Sequence, residues 1–369
     1  MADRTIVFWN LARLFGSGGS PIEHALTMDD PDARSTAAHV QRKTRVIAAA
    51  IDQIAAAHGT PLIVGLVEIE SSELAGQIAD AITCVDLVDI DSQSRDETGI
   101  SLDGLNITLL YDPQVFDGAV RLRSHLVDQA FGTRDILEAE LGFSDDHDPV
   151  TAYVHHWPSR LASDGAARRI AAAYYSAGLV TGKVRFSLGE MWDEQHNSMG
   201  APTTPDALRR ARVPVIVMGD FNDEVFDDSL AVLDSTPDVD TVVDDLNLKG
   251  RSKRERFRTY RGSPPRLLNP FWDVVGHGGS YYRSPRWRTY DQILLSRGAV
   301  EVYKHNPLTF QQGSARVHNS SAVTLDDGSE FTLTNRGGKP IQFDPDKDRG
   351  CSDHFPVLVV VRTPPEGDA

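Results

Sequence analysis

Six short polar segments of this sequence each lie at the end of an apolar run, and their side chains could hydrolyse a phosphoester. A phosphoester is anionic and repels hydroxide, so its hydrolysis needs a cation and a group that activates water. A hard divalent cation takes oxygen ligands, which Asp, Glu and Asn supply, and a His can move a proton. The six segments are Trp9-Asn10, the LVEIE run that contains Glu68, HHWPSR at 155–160, GDFND at 219–223, YDQILLS at 290–296 and SDHFPV at 352–357.

Three of these side chains could hold a metal ion. Glu68 and Asp353 offer carboxylate oxygens, and Asn10 offers a neutral amide oxygen. Mg²⁺ needs only one or two carboxylates, because it keeps several waters and takes a phosphate oxygen. Mn²⁺ accepts the same oxygen ligands, so the sequence predicts a site for Mg²⁺ or Mn²⁺.

A second group of side chains could position and activate the attacking water. Asp220, Asn222 and His354 are the candidates for that task. A His in this role needs a carboxylate partner that fixes its tautomer, and Asp291 could supply it. His156 could donate a hydrogen bond to a phosphate oxygen in the transition state.

Each segment also has an ordinary structural explanation. An Asp-x-Asn sequence after a strand is commonly a turn, and SDH could be a turn or a helix cap. Glu68 could simply be solvated, and neighbouring histidines could be incidental. The joint occurrence of all these segments, each at the end of an apolar strand, favours the functional interpretation.

The apolar runs predict the elements that must position these residues. Helices are predicted near residues 40–54 and 165–180, where apolar side chains recur at helical spacing or alanines dominate. Alternation in one strand puts His156, and not His155, on the face of Val154, so His156 is expected to face the site. Strands are predicted at residues 5–9, 62–67, 107–111, 150–157, 213–218, 292–295 and 355–361, which indicates two packed sheets flanked by helices.

The bulk composition excludes several classes of protein. The chain has 369 residues, 40% hydrophobic residues and two cysteines, which are ordinary values for a globular protein and imply no disulfide framework. No run of 18 apolar residues and no signal-peptide pattern is found, so a cytoplasmic location is expected, with export by a route without a cleaved signal left open. The net charge of −16 disfavours binding to nucleic acid by bulk electrostatics.

One segment of this acidic chain is strongly basic. Residues 249–289 carry eleven Lys or Arg and two Asp or Glu, a local net charge of +9, and aromatic residues are interleaved with the cations. Arginine suits phosphate by its fork geometry, and aromatic rings can stack on unpaired bases. The segment could therefore form a substrate rim, or it could be a solvated loop that balances an acidic body, and a small polyanion could use the same cations. The candidate rim residues are Arg258, Arg261, Arg283, Arg286 and Arg288, with Arg160 from the HHWPSR segment.

Taken in order, the segments resemble the endonuclease/exonuclease/phosphatase superfamily. The matching string is FWNLARLF, VGLVEIE, ITLLYDP, HHWPSR, VIVMGDFND, YDQILLS and SDHFPV, which spans residues 5 to about 360. The combination of GDFND with a C-terminal SDHFPV is the specific part of this resemblance. It implies a four-layer α/β/β/α sandwich of two mixed, mainly antiparallel sheets flanked by helices. We expect one catalytic domain over residues 1–369, with loop insertions near 16–35, 186–206 and 249–289.

The resemblance also implies roles for individual residues. Asn10 and Glu68 match the metal-binding pair, and Asp353 matches a further metal ligand or a residue that supports the ligands. His156 matches the His that contacts the scissile phosphate. The remaining matches are Asp220 and Asn222, which position the water and the phosphate, and Asp291, which orients the catalytic His354.

One position departs from the family pattern. Many members carry a Lys before the Ser of the histidine motif, and here Pro158 occupies that place. A phosphate-facing cation could therefore be missing, and Arg160 could replace it or could simply lie on the surface.

Several functions remain open at this level. The sequence favours a metal-dependent nuclease whose partner is nucleic acid, DNA in preference to RNA. A phosphatase or phospholipase of the same fold, acting on a small or lipid phosphate, is the alternative. A silent binding protein is disfavoured because every site position keeps an acceptable residue type. An unrelated binuclear metallophosphatase is disfavoured because the sequence lacks an early Asp-x-His and a later Gly-Asn-His.

Overall fold

The structure is a computed structural model, and it describes most of the chain. The described residues are 2–16, 36–90, 106–127, 135–144, 147–186, 192–193, 198–199, 204–244, 255, 264–302, 307–344 and 347–363. The predicted insertions near 16–35 and 186–206 therefore lie largely outside the described residues, as does the part of the basic segment that contains Arg258 and Arg261.

Two large sheets form the centre of the fold. The first sheet has the strand order β16-β20-β1-β2-β4-β3, with β17 also paired to β20. Its strands are β1 (Ala2–Leu14), β2 (Thr60–Ile69), β3 (Val88–Asp89), β4 (Asn106–Tyr111), β16 (Thr309–Phe310), β17 (Arg316–Val317) and β20 (Val357–Thr363).

The second sheet has the strand order β11-β12-β15-β10-β7-β6-β5. Its strands are β5 (Val120–His125), β6 (Ile136–Leu141), β7 (Val150–His156), β10 (Val215–Asp220), β11 (Ser235–Thr236), β12 (Leu267–Leu268) and β15 (Asp291–Leu295). Among the described pairs, β1–β2, β7–β10 and β11–β12 are parallel and the other strand pairs are antiparallel.

Helices and short hairpins complete the described elements. The helices are α1 (Ala37–His58), α2 (Ser72–Ala81), α3 (Gly165–Val184), α4 (Thr204–Ala211), α5 (Asp228–Val232), α6 (Val239–Val243) and α7 (Arg297–Val300), with a 3₁₀ turn at Pro270–Val274. The two-stranded hairpins are β8 (Trp192–Asp193) with β9 (Ser198–Met199), β13 (Tyr281–Arg283) with β14 (Arg286–Arg288), and β18 (Ala322–Thr324) with β19 (Glu330–Thr332).

Three hydrophobic cores separate four layers. Phe8, Val154 and Met218 belong to a core between the two sheets. On the outer face of the first sheet a second core includes residues of α1 and α2, and on the outer face of the second sheet a third core includes residues of α3 and α5. Both faces of the central strands are therefore covered, which explains why their sequences are continuous apolar runs. The predicted α/β/β/α architecture is confirmed.

The predicted strands and helices are present, and several elements were not predicted. β1 and β2 extend beyond the predicted runs at 5–9 and 62–67. Helix α2 and the β5–β6 pair have no counterpart in the sequence predictions. In β6 the charged residues Glu138 and Glu140 both pair with Lys183 of α3, so their place in a covered strand depends on a contact distant in sequence. No helix among the described residues is long and apolar enough to cross a lipid bilayer.

Candidate active site

Polar side chains from both sheets meet at one edge of the sandwich. In each sheet two central strands are parallel, so their carboxyl ends lie together, and β15 runs antiparallel so that its first residue pairs with the last residue of β10. The residues brought to this edge are Asn10 of β1, Glu68 of β2, His156 of β7, Asp220 of β10, Asp291 of β15 and His354, which precedes β20.

His354 and Asp291 form a buried dyad. The imidazole Nδ1 lies 2.7 Å from the Asp291 Oδ2 atom, and Asp291 is completely buried. The other ring nitrogen, Nε2, lies 3.9 Å from Oδ2 of Asp220. Burial alone would lower the pKa of His354, but the charges of Asp291, Asp220 and Asp353 outweigh it and raise the pKa to about 10. The predicted partnership of Asp291 with His354 is present in the geometry.

Asp220 lies between this dyad and the carboxylate of Glu68. Burial, together with the negative charge of Asp291, raises the pKa of Asp220 to about 7. Its Oδ2 atom accepts a hydrogen bond of 3.0 Å from the amide Nδ2 of Asn10, which also donates to Oε1 of Glu68 at 3.2 Å. His156 Nε2 lies 3.5 Å from the Glu68 carboxylate and 3.8 Å from the Asp220 carboxylate. Two carboxylates thus converge on the same neutral amide and the same imidazole.

This donor set fits a hard divalent cation. The carboxylates of Glu68 and Asp220 supply oxygen. Burial is the main cause of the raised pKa of Asp220, and the negative charge of Asp291 adds to it, so a cation bound here would offset that charge. The oxygen of Asn10 accepts from the backbone N–H of Ala12 at 2.9 Å, so in this rotamer Asn10 presents its NH₂ group to the carboxylates. A metal-binding role of Asn10 would require this amide to turn over.

A different trio also has metal-ligand spacing. One ligand atom each of Asp220, Asp291 and His354 lies within 4.8 Å of the others. The Nδ1 atom of His354 is engaged with Asp291, and imidazole is a poor ligand for Mg²⁺. The trio therefore has the geometry of a proton-transfer group, and Asp220 connects it to the oxygen-rich group around Glu68.

The GDFND segment makes a tight turn directly after β10. Asn222 has a positive φ of 51°, which Asn tolerates better than most residues, and its backbone N–H donates to Oδ1 of Asp220 at 2.9 Å. The Asn222 side chain donates to the carbonyl of Trp157 at 3.0 Å, which ties this turn to the end of β7. At Gly219 a Cβ atom would lie 2.5 Å from the carbonyl oxygen of His155, so glycine permits the close pairing of the two strands here.

Asp353 lies at the margin of the group. It is half-buried, and its Oδ2 atom accepts from Gln342 Nε2 at 3.2 Å. Its charge raises the pKa of His354, so the carboxylate is close enough to act electrostatically. Its assignment as a metal ligand stays a prediction.

The two neighbouring histidines of β7 have different environments. His155 is completely buried on the helix-facing side, where its Nδ1 accepts from Trp157 Nε1 at 3.3 Å and its ring lies 5.8 Å from that of Phe221. Burial lowers the pKa of His155 to about 3. His156 lies on the site side, as the strand alternation indicated.

Buried His155 is expected to make the fold sensitive to acid. Its pKa of about 3 lies below the ordinary value of 6.5, so the unfolded chain binds this proton first as the pH falls. The stabilisation is full above about pH 6.5 and is lost progressively towards pH 3. Between pH 6.5 and pH 4, the unfolding free energy of His155→Asn should fall by about 1–3 kcal/mol less than that of the wild type. Urea denaturation at each pH measures this difference. The exposed His277→Asn serves as the control, and an unchanged slope in His155→Asn would refute this assignment.

Arg160 braces the turn that carries Asn222. Its Nε donates to the carbonyl of Asn222 at 2.7 Å, and its Nη2 donates both to Asp223, at 2.6 Å, and to Asp227. The guanidinium also lies over the ring of Tyr290, 5.2 Å from its centroid. The structure thus gives Arg160 a structural task, and its role at a substrate rim stays a prediction.

The other rim candidates divide into two groups. Arg258 and Arg261 lie outside the described residues. Arg288 pairs with Glu224 at 3.3 Å, while Arg283 and Arg286 face each other across the β13–β14 hairpin and are exposed. Like charges in this arrangement repel, and neither Arg283 nor Arg286 has a carboxylate partner among the described residues.

Sequence reasoning missed several residues that contact the site. Tyr281 stacks beside His354, with ring centroids 4.7 Å apart, and Ser352 Oγ donates to the carbonyl of Asn10 at 2.6 Å. Lys43 of α1 is buried, and its Nζ donates to the carbonyls of Leu11 and Ala12 at 2.7 and 3.0 Å. A signal for Lys43 was available, because this lysine lies three residues after Val40 on the apolar face of the predicted helix.

Comparisons with known proteins gave one family match and several matches to solved structures. The model of the endonuclease/exonuclease/phosphatase family matches residues 5–185. No curated protein matches the chain. Among solved structures, an endonuclease/exonuclease/phosphatase family protein from Bacteroides thetaiotaomicron is 12% identical, with a TM-score of 0.49, and the match covers 97% of this chain and 98% of that one.

Two further solved structures are similar at the same level. TDP2 from D. rerio, complexed with a single-strand DNA product, is 13% identical with a TM-score of 0.49, and 98% and 100% of the two chains are covered. A mannosyl-6-phosphatase from Bacteroides thetaiotaomicron is 12% identical with a TM-score of 0.49, and 97% and 99% are covered. Residues 5–185, just under half of the chain, therefore match the endonuclease/exonuclease/phosphatase family, whose members are hydrolases that act on phosphoester bonds and in general depend on a divalent metal ion.

Proposed function

We propose that this phosphoesterase is a nuclease that hydrolyses phosphodiester bonds with Mg²⁺ or Mn²⁺. One observation carries the proposal: Asp220 connects the oxygen-rich group to the His354–Asp291 dyad. Its Oδ2 atom lies 3.0 Å from the Asn10 amide beside Glu68 and 3.9 Å from His354 Nε2. Charge neutralisation and proton transfer could therefore act on one phosphate at the same time.

Glu68 is the principal residue proposed to hold the metal, supported by Asn10 and Asp353. When bound, the ion would neutralise phosphate charge and lower the pKa of a coordinated water. Glu68 suits this task because its carboxylate is partly exposed at 18% and approaches Asp220 and His156. Both Mg²⁺ and Mn²⁺ accept such oxygen ligands.

The remaining residues divide the handling of water and phosphate. Asp220, whose pKa is raised by burial and by Asp291, is suited to accept the proton of the attacking water near neutral pH. His354, which the adjacent carboxylates keep protonated, can donate to a phosphate oxygen or to the leaving oxygen. His156 is proposed to donate from Nε2 to the phosphate, and Asn222 to help orient the water.

Surface charge supports an extended anionic substrate. Arg283 and Arg286, which have no carboxylate partner within the described ranges, lie on the β13–β14 hairpin, whose Tyr281 packs beside His354. A polynucleotide could contact these cations with phosphates on either side of the scissile one. The rest of the chain is acidic and would repel a polynucleotide, so contacts should be confined to this basic hairpin. Nucleic acid, with DNA ahead of RNA, is therefore the proposed partner.

Matched substrates test this proposal. We expect the protein in Mg²⁺ or Mn²⁺ to cleave single-stranded and duplex oligodeoxynucleotides, and to hydrolyse bis(p-nitrophenyl) phosphate faster than the monoester p-nitrophenyl phosphate. Hydrolysis of monoesters alone would support a phosphatase instead. Release of headgroups from phospholipid vesicles without cleavage of oligonucleotides would support a phospholipase, and binding without hydrolysis of any substrate would indicate a silent binding protein.

A further inference from the structure

The first strand bulges beside Glu68. Asn10 pairs with Val67 of β2, and the next paired residue, Leu14, is opposite Ile69. Three residues of β1, at positions 11–13, therefore oppose the single residue Glu68. Bulges of this kind re-aim side chains and occur often next to active sites.

The bulge contains an unfavourable backbone that its surroundings hold in place. Ala12 and Arg13 have positive φ values of 48° and 63°, where glycine would be the favourable residue. The buried ammonium of Lys43 binds the carbonyls of Leu11 and Ala12, and the oxygen of Asn10 accepts the Ala12 N–H. Two successive non-glycine residues persist in this conformation only where such contacts determine it.

Arg13 is the exposed residue of this bulge. Leu11, Ala12, Leu14 and Phe15 on either side of it are buried, and among the residues that the structure describes the Arg13 side chain makes no hydrogen bond or ion pair. Other cations near the site are engaged, since Lys43 binds backbone carbonyls and Arg160 binds the Asp223 turn. The bulge therefore carries an exposed arginine opposite the end of the Glu68 strand, with no side-chain partner in the part of the chain that the structure describes.

We propose that Arg13 binds non-bridging oxygens of the substrate phosphate. This inference rests on the proposed function, because it assigns a ligand to the same site. Guanidinium groups bind phosphate through two parallel charge-assisted hydrogen bonds, and a rigid support reduces the entropy lost on binding. The bulge supplies that support, and the free donors of Arg13 supply the contact.

Inorganic phosphate is the probe for this proposal. In calorimetric titrations with Mg²⁺ present, Arg13→Gly should weaken phosphate binding by about tenfold or more, the usual effect of losing a charge-assisted hydrogen bond. Because glycine is favourable at positive φ, Arg13→Gly should unfold at the same temperature as the wild type or a higher one. The KM for bis(p-nitrophenyl) phosphate should rise in parallel.

Two controls separate contact from flexibility and from total charge. Ala12→Gly relaxes the same bulge and keeps the guanidinium, and Arg209→Ala removes a charge from α4, which lies before the opposite end of β10. Both should retain phosphate affinity within about twofold of the wild type. The inference is overturned if the wild type does not bind phosphate, if Arg13→Gly binds it equally well, or if Ala12→Gly weakens binding as much. Arg13-dependent phosphate binding without hydrolysis of any diester would instead contradict the nuclease proposal and leave this inference standing.

Discussion

Replacing His354 with alanine is expected to lower kcat for phosphodiester hydrolysis by roughly 10²–10⁴-fold, the range for a positioned proton-transfer group. The substitution removes the imidazole whose two ring nitrogens lie 2.7 Å from Asp291 and 3.9 Å from Asp220. It also leaves Asp291 buried without its partner, so the fold could lose stability. His354→Gln, which can still donate to Asp291, keeps the prediction testable because it should remain folded with kcat reduced to a similar extent.

Asp291→Asn should show how the negative charge of Asp291 contributes to the activity of His354 and Asp220. Loss of the Asp291 charge lowers the pKa of His354 and also that of Asp220, since Asp291 raises both. If protonated His354 and ionised Asp220 are the active forms, both limbs of the pH profile of kcat should move to lower pH, and the maximum should fall. His58→Ala, at the far end of α1, is the control.

The result that would contradict the first prediction concerns His354→Gln. A His354→Gln enzyme that keeps wild-type kcat would exclude His354 from the chemistry.

Replacing Glu68 with glutamine is expected to raise the Mg²⁺ concentration for half-maximal activity by at least about 10–100-fold, the loss seen when even the supports of metal ligands are removed. Glu68 supplies the carboxylate at the centre of the convergent group, and glutamine keeps its shape without its charge. Metal titrations of initial rates measure the effect, and high Mg²⁺ should restore part of the activity.

Glu70→Gln provides a closely matched control. Glu70 follows Glu68 by two residues, and its carboxylate accepts from the backbone N–H of Gly16 at 2.6 Å and lies outside the Asn10 group. This variant loses the same charge from the same segment and should keep the metal dependence of the wild type. If Glu68→Gln shows the same metal dependence as the wild type, Glu68 does not bind the metal ion.

The sequence was sufficient to predict the layers and the strand-end residues. Strands covered on both faces appear as continuous apolar runs, and Asn10, Glu68, Asp220 and Asp291 each occur at the end of such a run. The alternation of β7 was likewise enough to choose His156. Such features are local, so they can be deduced without knowing which segments meet.

Features that depend on distant contacts could not be deduced. The bulge at residues 11–13 is held by Lys43 of α1, and Tyr281 reaches His354 through a hairpin more than 70 residues earlier in the chain. Arg160 could not be assigned from sequence because its partners Asp223 and Asp227 belong to another segment. Its guanidinium braces that turn, which composition alone could not indicate.

Nicking of supercoiled plasmid is the most direct test of the central claim, that this site is a metal-dependent nuclease. The purified protein should nick the plasmid in Mg²⁺ or Mn²⁺, lose the activity in EDTA and regain it when the metal is restored. His354→Gln and Glu68→Gln should be nearly inactive under the same conditions, and Glu70→Gln should be active. Nicking that persists in EDTA or in His354→Gln, or a folded, metal-supplied wild type that leaves plasmid and oligonucleotides intact, would contradict the account.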